Sequence, residues 1–435
     1  MNIFLDRTIP PKREIIKEIK IPSTDVFDLA NGFKVIVINA GTQDLVKVDV
    51  LFEAGTRYQP QALVANAAIS MLTEGTATRT SKQIAEELDY FGSFVESSFS
   101  RDFASVTLYT IGKHYYRASD ILSDILINPS YPQHELEIFC QKGKQMLEVE
   151  LEKVSTLARQ AFFSALFGAN HPYGSFALPS HYDLLTRNMV VTFHRQYHTA
   201  QNGLIVLAGS LDDRKTQYLL DALESNTFLK LEDQDIPFPK YSTTKQRVFT
   251  YKKDAIQSSI RVGKVFPKRN HPDMTGLIVL NTLLGGYFGS RLMRNIREDK
   301  GYTYGISSYI MPMVEHSVWL VTTDVGNGFV EPTITEFFTE VERLQHEPVD
   351  SDELDLVRGY MIGQILRTFD GPLAISDAMA SLFQYNNLDK EYINNLVKTI
   401  NSITPEEIMT LANRYLGLDD MVVSVAGSSC PKGFN

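Results

Sequence analysis

Cysteine is almost absent. Cys140 and Cys430 are the two in 435 residues, and they stand far apart. That excludes a disulfide framework and a Cys-x-x-Cys metal site, and it suits a reducing compartment. An excess of positive charge is also missing. Lys+Arg is 42 against Asp+Glu 52, a net charge of -10, so the basic surface that nucleic acid or an anionic membrane requires is not there. No stretch approaches the apolar length needed to span a bilayer, and MNIFLDRTIPPKREIIKEIK at the N-terminus has no apolar core of signal-peptide length. The expectation is a cytoplasmic protein, or a periplasmic one if a leader has been removed, with neither nucleic acid nor membrane as partner.

What is present is an ordinary globular composition, 43% hydrophobic and 22% charged, long enough for two to four domains. The first 24 residues read as a polar, proline-punctuated arm. NGFKVIVINA, with its Asn31-Gly32 turn pair, and DLVKVDVLFEAG alternate apolar and polar residues and read as paired strands. Leu63–Leu72 reads as a buried helix. Thr80 to Gln83 has capping-box spacing and opens a helix with Ile84, Leu88 and Phe91 on one face and Gly92 as its stop. Phe94–Thr110 returns to strand, and helical runs follow at Tyr115–Leu126 and Gln133–Leu157.

The chain also repeats itself. TRNMVVTFHRQYHTAQNGLIVLAGS from Thr186 aligns without a gap on TPEEIMTLANRYLGLDDMVVSVAGS from Thr404, an offset of 404 − 186 = 218 residues. Each copy reads as helix, turn and buried strand ending in Ala-Gly, and each closes a half of domain size. The predicted organisation is an arm (1–24), a first domain (25–228), a linker (229–246) rich in charge and carrying Pro237 and Pro239, and a second domain (247–435). Both domains are expected to be α+β of like plan, each a mostly antiparallel sheet packed with helices.

Several segments resemble the pitrilysin/insulinase family of inverted-motif zinc peptidases, which includes the mitochondrial processing peptidases. They are Ala54-Gly55-Thr56-Arg57, Glu74-Gly75-Thr76, Arg79-Thr80-Ser81, His171-Pro172-Tyr173-Gly174, the closing segment Phe193–Gly209, and LLGGYFGSRLMRNIREDKGYTYGISS at Leu283–Ser308. Their order and spacing run over nearly the whole chain. The resemblance implies a clamshell half built from two homologous domains.

The catalytic motif of that family is missing. Its active members carry His-x-x-Glu-His on a helix before the Gly-Thr, two imidazoles for zinc and a glutamate to deprotonate the metal-bound water. The matching residues here are Asn66-Ala67-Ala68-Ile69-Ser70. Asn66 and Ser70 are neutral oxygen donors that bind zinc poorly, and Ile69 accepts no proton. No shift of register restores the motif, because the first of nine histidines is His114. The third ligand, a downstream glutamate, falls on Glu150, with Glu148 the alternative. His194 and His198 have helical i, i+4 spacing but no glutamate between them, and they read as surface or capping residues. His171 reads as structural.

By the same resemblance, active members use an Arg and a Tyr of the second domain to reach the substrate and its scissile carbonyl. These match Arg297 and Tyr304, with Tyr302 a competitor. A guanidinium offers planar bidentate donors to a carbonyl or carboxylate, and a phenol can donate to a developing oxyanion. Gly285-Gly286 and Gly289 precede a helix predicted from Ser290 to Glu298, whose exposed N–H groups can face a peptide backbone. The opposing reading makes Gly285-Gly286 a tight turn and pairs Arg297 with Glu298 or Asp299. The cleft strand, Asn-Ala-x-Thr-Ser in the family, is Glu96-Ser97-Ser98-Phe99-Ser100 here. An edge strand binds an extended peptide through main-chain groups alone, so this change bears on selectivity rather than on binding.

The implied function is that of a non-catalytic subunit of a two-chain zinc metallopeptidase. It would hold no cofactor itself and would present Arg297 and Tyr304 to the zinc site of a homologous subunit bearing His-x-x-Glu-His. The alternative is a peptide-binding or scaffold protein of the same fold without peptidase activity. The sequence leaves self-association into a homodimer open.

Overall fold

In a computed structural model the described residues are 8, 15–20, 23–225, 246–386, 389 and 391–434. Most of the N-terminal arm and residues 229–245 of the expected linker lie outside them, and Gln246 already opens a strand. The first half contains β1 (Asp25–Asp28), β2 (Lys34–Asn39), β3 (Leu45–Phe52), α1 (Val64–Ser70), α2 (Ser81–Tyr90), β4 (Phe94–Phe99), β5 (Ala104–Ile111), α3 (Tyr115–Ile127), α4 (Gln133–Leu151), α5 (Val154–Phe167), α6 (Pro179–Leu184), α7 (Arg187–Tyr197), β6 (Gly203–Gly209) and α8 (Asp213–Glu224). The second contains β7 (Gln246–Tyr251), β8 (Gln257–Phe266), α9 (Met274–Asn281), β9 (Thr303–Pro312), β10 (Ser317–Gly326), α10 (Val330–His346), α11 (Ser351–Thr368), α12 (Pro372–Asn386), α13 (Glu391–Ser402), α14 (Pro405–Tyr415) and β11 (Val422–Gly427). No helix among the described residues is long and apolar enough to cross a membrane.

The fold is α+β, with two domains that each combine a sheet and helices. The sheet orders are β1-β2-β6-β3-β5-β4 and β7-β11-β8-β10-β9. Each sheet is antiparallel except for one parallel pair, β2 with β6 and β7 with β11. The repeated segment accounts for this match. Thr186 and Thr404 both cap their helices by accepting from the third backbone N–H, and the strands that follow, β6 and β11, take the same place in their sheets. The repeat therefore supplies the inserted central strand of each half.

Two local expectations are corrected. The two alternating segments are not paired with each other, because β6 lies between β2 and β3, and the Asn31-Gly32 turn joins β1 to β2 instead. The helical run Gln133–Leu157 is two helices that break at Glu152-Lys153, where Lys153 is extended (φ -85, ψ 126). The capping box at Thr80 and the stop at Gly92 (φ +59) are as read.

The two halves exchange helices. α5, from the first half, packs on β8, β11 and β7, and α12, from the second, packs on β6 and β2. Both faces of the central strands are thereby covered, which is why every residue of β6 is buried and its sequence is a continuous apolar run. Ile36, Ile38, Leu204, Val206 and Ala208 join the core of the second half, while Val35, Val37, Ile205 and Leu207 join that of the first. Polar groups fasten the exchange. Lys47, 2% exposed, bridges Asp49 at 3.0 Å and Asp377 of α12, and Ser376 of α12 donates to Asp49. The described part of the arm is also fixed. The Ile19 N–H donates to Asn394 Oδ1 at 3.1 Å, and Asn401 donates to the Ile16 carbonyl at 2.9 Å.

Candidate functional site

The helix that would carry a metal motif is α1, and α4 faces it across a pocket. Asn66, Ser70 and Glu150 line one pocket of about 440 Å³ together with Glu74, Glu135 and Lys142. The three positions singled out as metal sites in the sequence thus do converge. Glu148 is not among the lining residues. The chemistry, however, has been replaced. Ser70 Oγ donates to Asn66 Oδ1 at 2.8 Å, so the two side chains satisfy each other across one helical turn. Ile69 is fully buried in the core of the first half. Glu150 accepts from Lys153 and, at 3.4 Å, from Thr156, and the Lys153 contact holds its carboxyl below the usual range. No group of three metal-ligating side chains occurs among the described residues. A zinc ion does not fit this donor set, which offers one paired carboxylate and two mutually bonded neutral groups.

The defect is local, and that gives a test. Asn66→His with Ser70→His is expected to create a His₂Glu site that takes up one equivalent of zinc, measured by metal analysis after gel filtration. Adding Glu150→Ala to that pair is expected to weaken the site by about tenfold or more. Zinc uptake that is unchanged by the histidines would contradict the placement of these residues around one metal position.

The second constellation sits at the start of β9. α9 runs on into a wide turn at Thr282–Gly286, and a second wide helical segment covers Met293–Asp299. Such insertions widen the helix and re-aim side chains, and they concentrate at functional sites. The predicted helix at Ser290–Glu298 is therefore wide rather than α-helical over most of its length. Asn281 ties the first turn to the sheet by donating to the Ser308 carbonyl at 3.2 Å and accepting from Trp319 Nε1 at 3.0 Å. Gly285 is buried, and a Cβ on it would meet the Ser308 backbone nitrogen at 2.9 Å. Its place is close packing of the turn on β9. Gly286 is half-buried beside it.

Gly301, in the left-handed region (φ +66), ends the second wide segment and starts β9. The β9–β10 register then slips between Thr323 and Val325, and Thr303 Oγ1 donates to the Asp324 carbonyl at 2.7 Å within this bulge. Bulges turn a side chain out of the sheet pattern, and Tyr304 lies in it with 93% of its surface exposed. Tyr302 is instead stacked on Phe329 at 4.9 Å. Arg297 lies over the Phe288 ring at 4.6 Å and, among the described residues, makes no ion pair with Glu298 or Asp299. Arg297, Tyr302, Tyr304, Gln257 and Asp324 line a cleft of about 640 Å³. Gln257 and Asp324 were invisible in the sequence, because only the pairing of β8 with β10 brings them beside Tyr304.

Other quoted motifs prove structural. Arg57 and Tyr173 both reach Asp102, which is 3% exposed: Arg57 donates at 3.3 Å, Tyr173 Oη at 2.5 Å, and the Val314 N–H of the second half at 3.2 Å. Burial and the adjacent carboxylate push the Tyr173 phenol far up. Arg79, Thr76 and Thr78 likewise all donate to Asp124, at 2.6, 2.7 and 2.8 Å. His171 is buried, and its Nδ1 accepts from the Tyr173 N–H at 3.0 Å, in keeping with a structural role. The surface reading of His194 and His198 is corrected. Their Nδ1 atoms lie 2.8 Å apart in the interior, and His198 stacks on Phe52. Burial pushes both imidazoles down, His194 to about 4, so the pair is neutral at neutral pH. Finally, Glu96–Phe99 lie in β4, the edge strand of the first sheet, as β9 is the edge of the second.

Known proteins resemble this chain along most of its length. The Insulinase (Peptidase family M16) profile matches residues 34–172, and the Peptidase M16 inactive domain profile matches residues 184–360. An uncharacterized zinc protease of Bacillus subtilis is 22% identical over 92% of this chain and 97% of its own. One of Rickettsia bellii is 24% identical over 77% and 81%. Among solved structures, a peptidase M16 inactive domain from Pseudomonas fluorescens has a TM-score of 0.84 at 21% identity, covering 94% of this chain and 98% of that one. A protease from Helicobacter pylori has a TM-score of 0.85 at 17% identity, covering 94% and 100%.

Proposed function

Since the chain belongs to the M16 (insulinase) peptidase family and lacks the family's metal ligands, we propose that it is the non-catalytic subunit of a two-chain zinc metallopeptidase. The domains are taken as 25–228 and 247–435. The observation that carries this reading is a contrast between two sites in one molecule. At the metal position Asn66 and Ser70 are bonded to each other and Ile69 lies in the core, so no zinc-binding donor set is offered. The Arg297–Tyr304 cleft is open, with a guanidinium free of ion pairs among the described residues and a phenol held out by a bulge. Arg297 is half-buried, stacked on Phe288, and its charge has no carboxylate partner among the described residues.

In this reading the chemistry of a metal-bound water belongs to a homologous subunit bearing His-x-x-Glu-His. This chain's own residues bind and orient peptide. The β4 and β9 edges offer unpaired main-chain groups to an extended segment. Arg297 donates in a plane to a peptide carbonyl or carboxylate, and Tyr304 donates to oxygen that gains charge as an amide is attacked.

The test is a tagged pull-down of this chain from its own cell extract, with the eluate identified by mass spectrometry. Co-elution, in near-equal amount, of a chain of similar length with an intact His-x-x-Glu-His is expected. Elution alone or with unrelated proteins would instead support a peptide-binding or scaffold role.

A further inference from the structure

We propose that the face between the two halves selects anionic peptides, through a cluster formed by Arg101, Arg159 and Arg261 with Tyr309. The proposal rests on the peptide-binding reading above and gives it a substrate class. The three arginines come from distant parts of the chain. Arg101 follows the edge strand β4, Arg159 lies on α5, and Arg261 lies on β8. The helix exchange assembles them, because α5 packs across β8.

Two of the guanidiniums share one aromatic floor. Arg101 lies 4.1 Å from the Phe163 ring and 5.7 Å from Phe176, and Arg159 lies 5.9 Å from the same Phe176 ring. Their hydrogen bonds leave the charge in place. Arg101 Nε donates to the Tyr173 carbonyl at 3.1 Å, and Arg261 Nη1 donates to the carbonyls of Ile260 at 2.9 Å and Thr323 at 3.4 Å. Arg159 is exposed and has no ion pair among the described residues.

Two of the carboxylates nearby are engaged elsewhere. Asp102 accepts from Arg57 and Tyr173, and Glu150 is paired with Lys153. Asp324 forms an ion pair with Arg261 at 3.7 Å and also accepts from Ser259 at 2.5 Å, so Arg101 and Arg159 carry the charge that has no ion pair among the described residues. Burial together with Arg159 holds Arg101 down to about 10, and burial pushes Arg261 down as well. The cluster therefore repels itself, in a chain whose net charge is -10. A carboxylate placed among these groups relieves that repulsion and can take bidentate bonds.

The position suits a peptide. Arg261 and Tyr304 line one recess of about 310 Å³, and Thr303 and Tyr304 also line the Arg297 cleft. A segment lying along β9 from Tyr304 to Tyr309 passes the cluster.

The test is fluorescence anisotropy of the full chain with two labelled peptides of equal length and apolar content, one glutamate-rich and one lysine-rich. Each is made with a free and an amidated C-terminus. The glutamate-rich peptide is expected to bind about tenfold more tightly or better, an advantage that shrinks as salt is raised. Arg159→Gln, at an exposed site, is expected to reduce the advantage severalfold, and Arg159→Gln with Arg261→Gln to remove it. An advantage that follows the free C-terminus rather than the side chains supports the same cluster acting on peptide ends. Equal affinities, or an advantage that survives in the double variant, overturn the selection of anions and leave the peptide-binding reading standing. Failure of every peptide to bind overturns both.

Discussion

Replacing Arg297 by alanine is expected to lower kcat/KM of the two-chain peptidase about a hundredfold while the two chains still elute together. The size follows from what one well-placed donor contributes to a transition state, on the order of 10²–10³ in rate. The sparing of assembly follows from the contacts of the side chain. It stacks on exposed Phe288 and holds no carboxylate among the described residues, so truncation leaves no charge buried and unpaired. Arg297→Lys keeps the charge but loses the planar fork, and it is expected to recover only part of the activity. Steady-state kinetics on a quenched fluorescent peptide, with gel filtration of the same samples, separates the two effects. Unchanged turnover in Arg297→Ala would remove the residue from the reaction.

The second large effect is on stability. Asp102→Ala is expected to destabilise the chain by about 3–5 kcal/mol, the usual consequence of removing one member of a buried ion pair. Asp102 is 3% exposed and takes hydrogen bonds from Arg57, from Tyr173 and, across the halves, from the Val314 N–H. Its loss takes a shared acceptor from the half-buried Arg57 guanidinium and the buried Tyr173 phenol. Urea unfolding reads the change, with exposed Glu148→Ala as a control expected to shift stability by less than about 0.5 kcal/mol. A near-zero effect of Asp102→Ala would mean that water or a neighbouring group replaces the carboxylate.

The two-domain plan was legible in the sequence because it is written twice. A repeat of helix, turn and strand at fixed offset needs no long-range information, and its capping threonines and apolar strands are local signals. The pairing of strands was not legible. Alternation in NGFKVIVINA and DLVKVDVLFEAG says that two strands exist, but insertion of β6 between them depends on a segment far along the chain. The exchange of α5 and α12 was hidden for the same reason, since a helix shows one apolar face without naming the sheet that it covers.

The site divides along similar lines. Loss of the zinc donors could be read directly from Asn66, Ile69 and Ser70. The meeting of Glu150 with them around one pocket needed the placement of α4 opposite α1. The exposure of Tyr304 and the stacking of Tyr302 needed a bulge and a partner ring, neither of which has a sequence signature. Asp102 escaped notice because a lone aspartate in a hairpin looks like any turn residue until Arg57 and Tyr173 are brought to it. His194 and His198 misled in the opposite direction, since polar residues at helical spacing suggest a surface, and here His198 is buried against Phe52 while half-buried His194 bonds to it.

The most direct test of the central claim is reconstitution from separately purified chains. This chain and its His-x-x-Glu-His-bearing homologue would each be assayed alone and then mixed at equal concentration, with zinc present throughout and a chelator control. The account predicts negligible peptide cleavage by either chain alone and chelator-sensitive cleavage by the mixture, saturating near one-to-one. Full activity of the zinc-bearing chain by itself, unchanged when this chain is added, would contradict it.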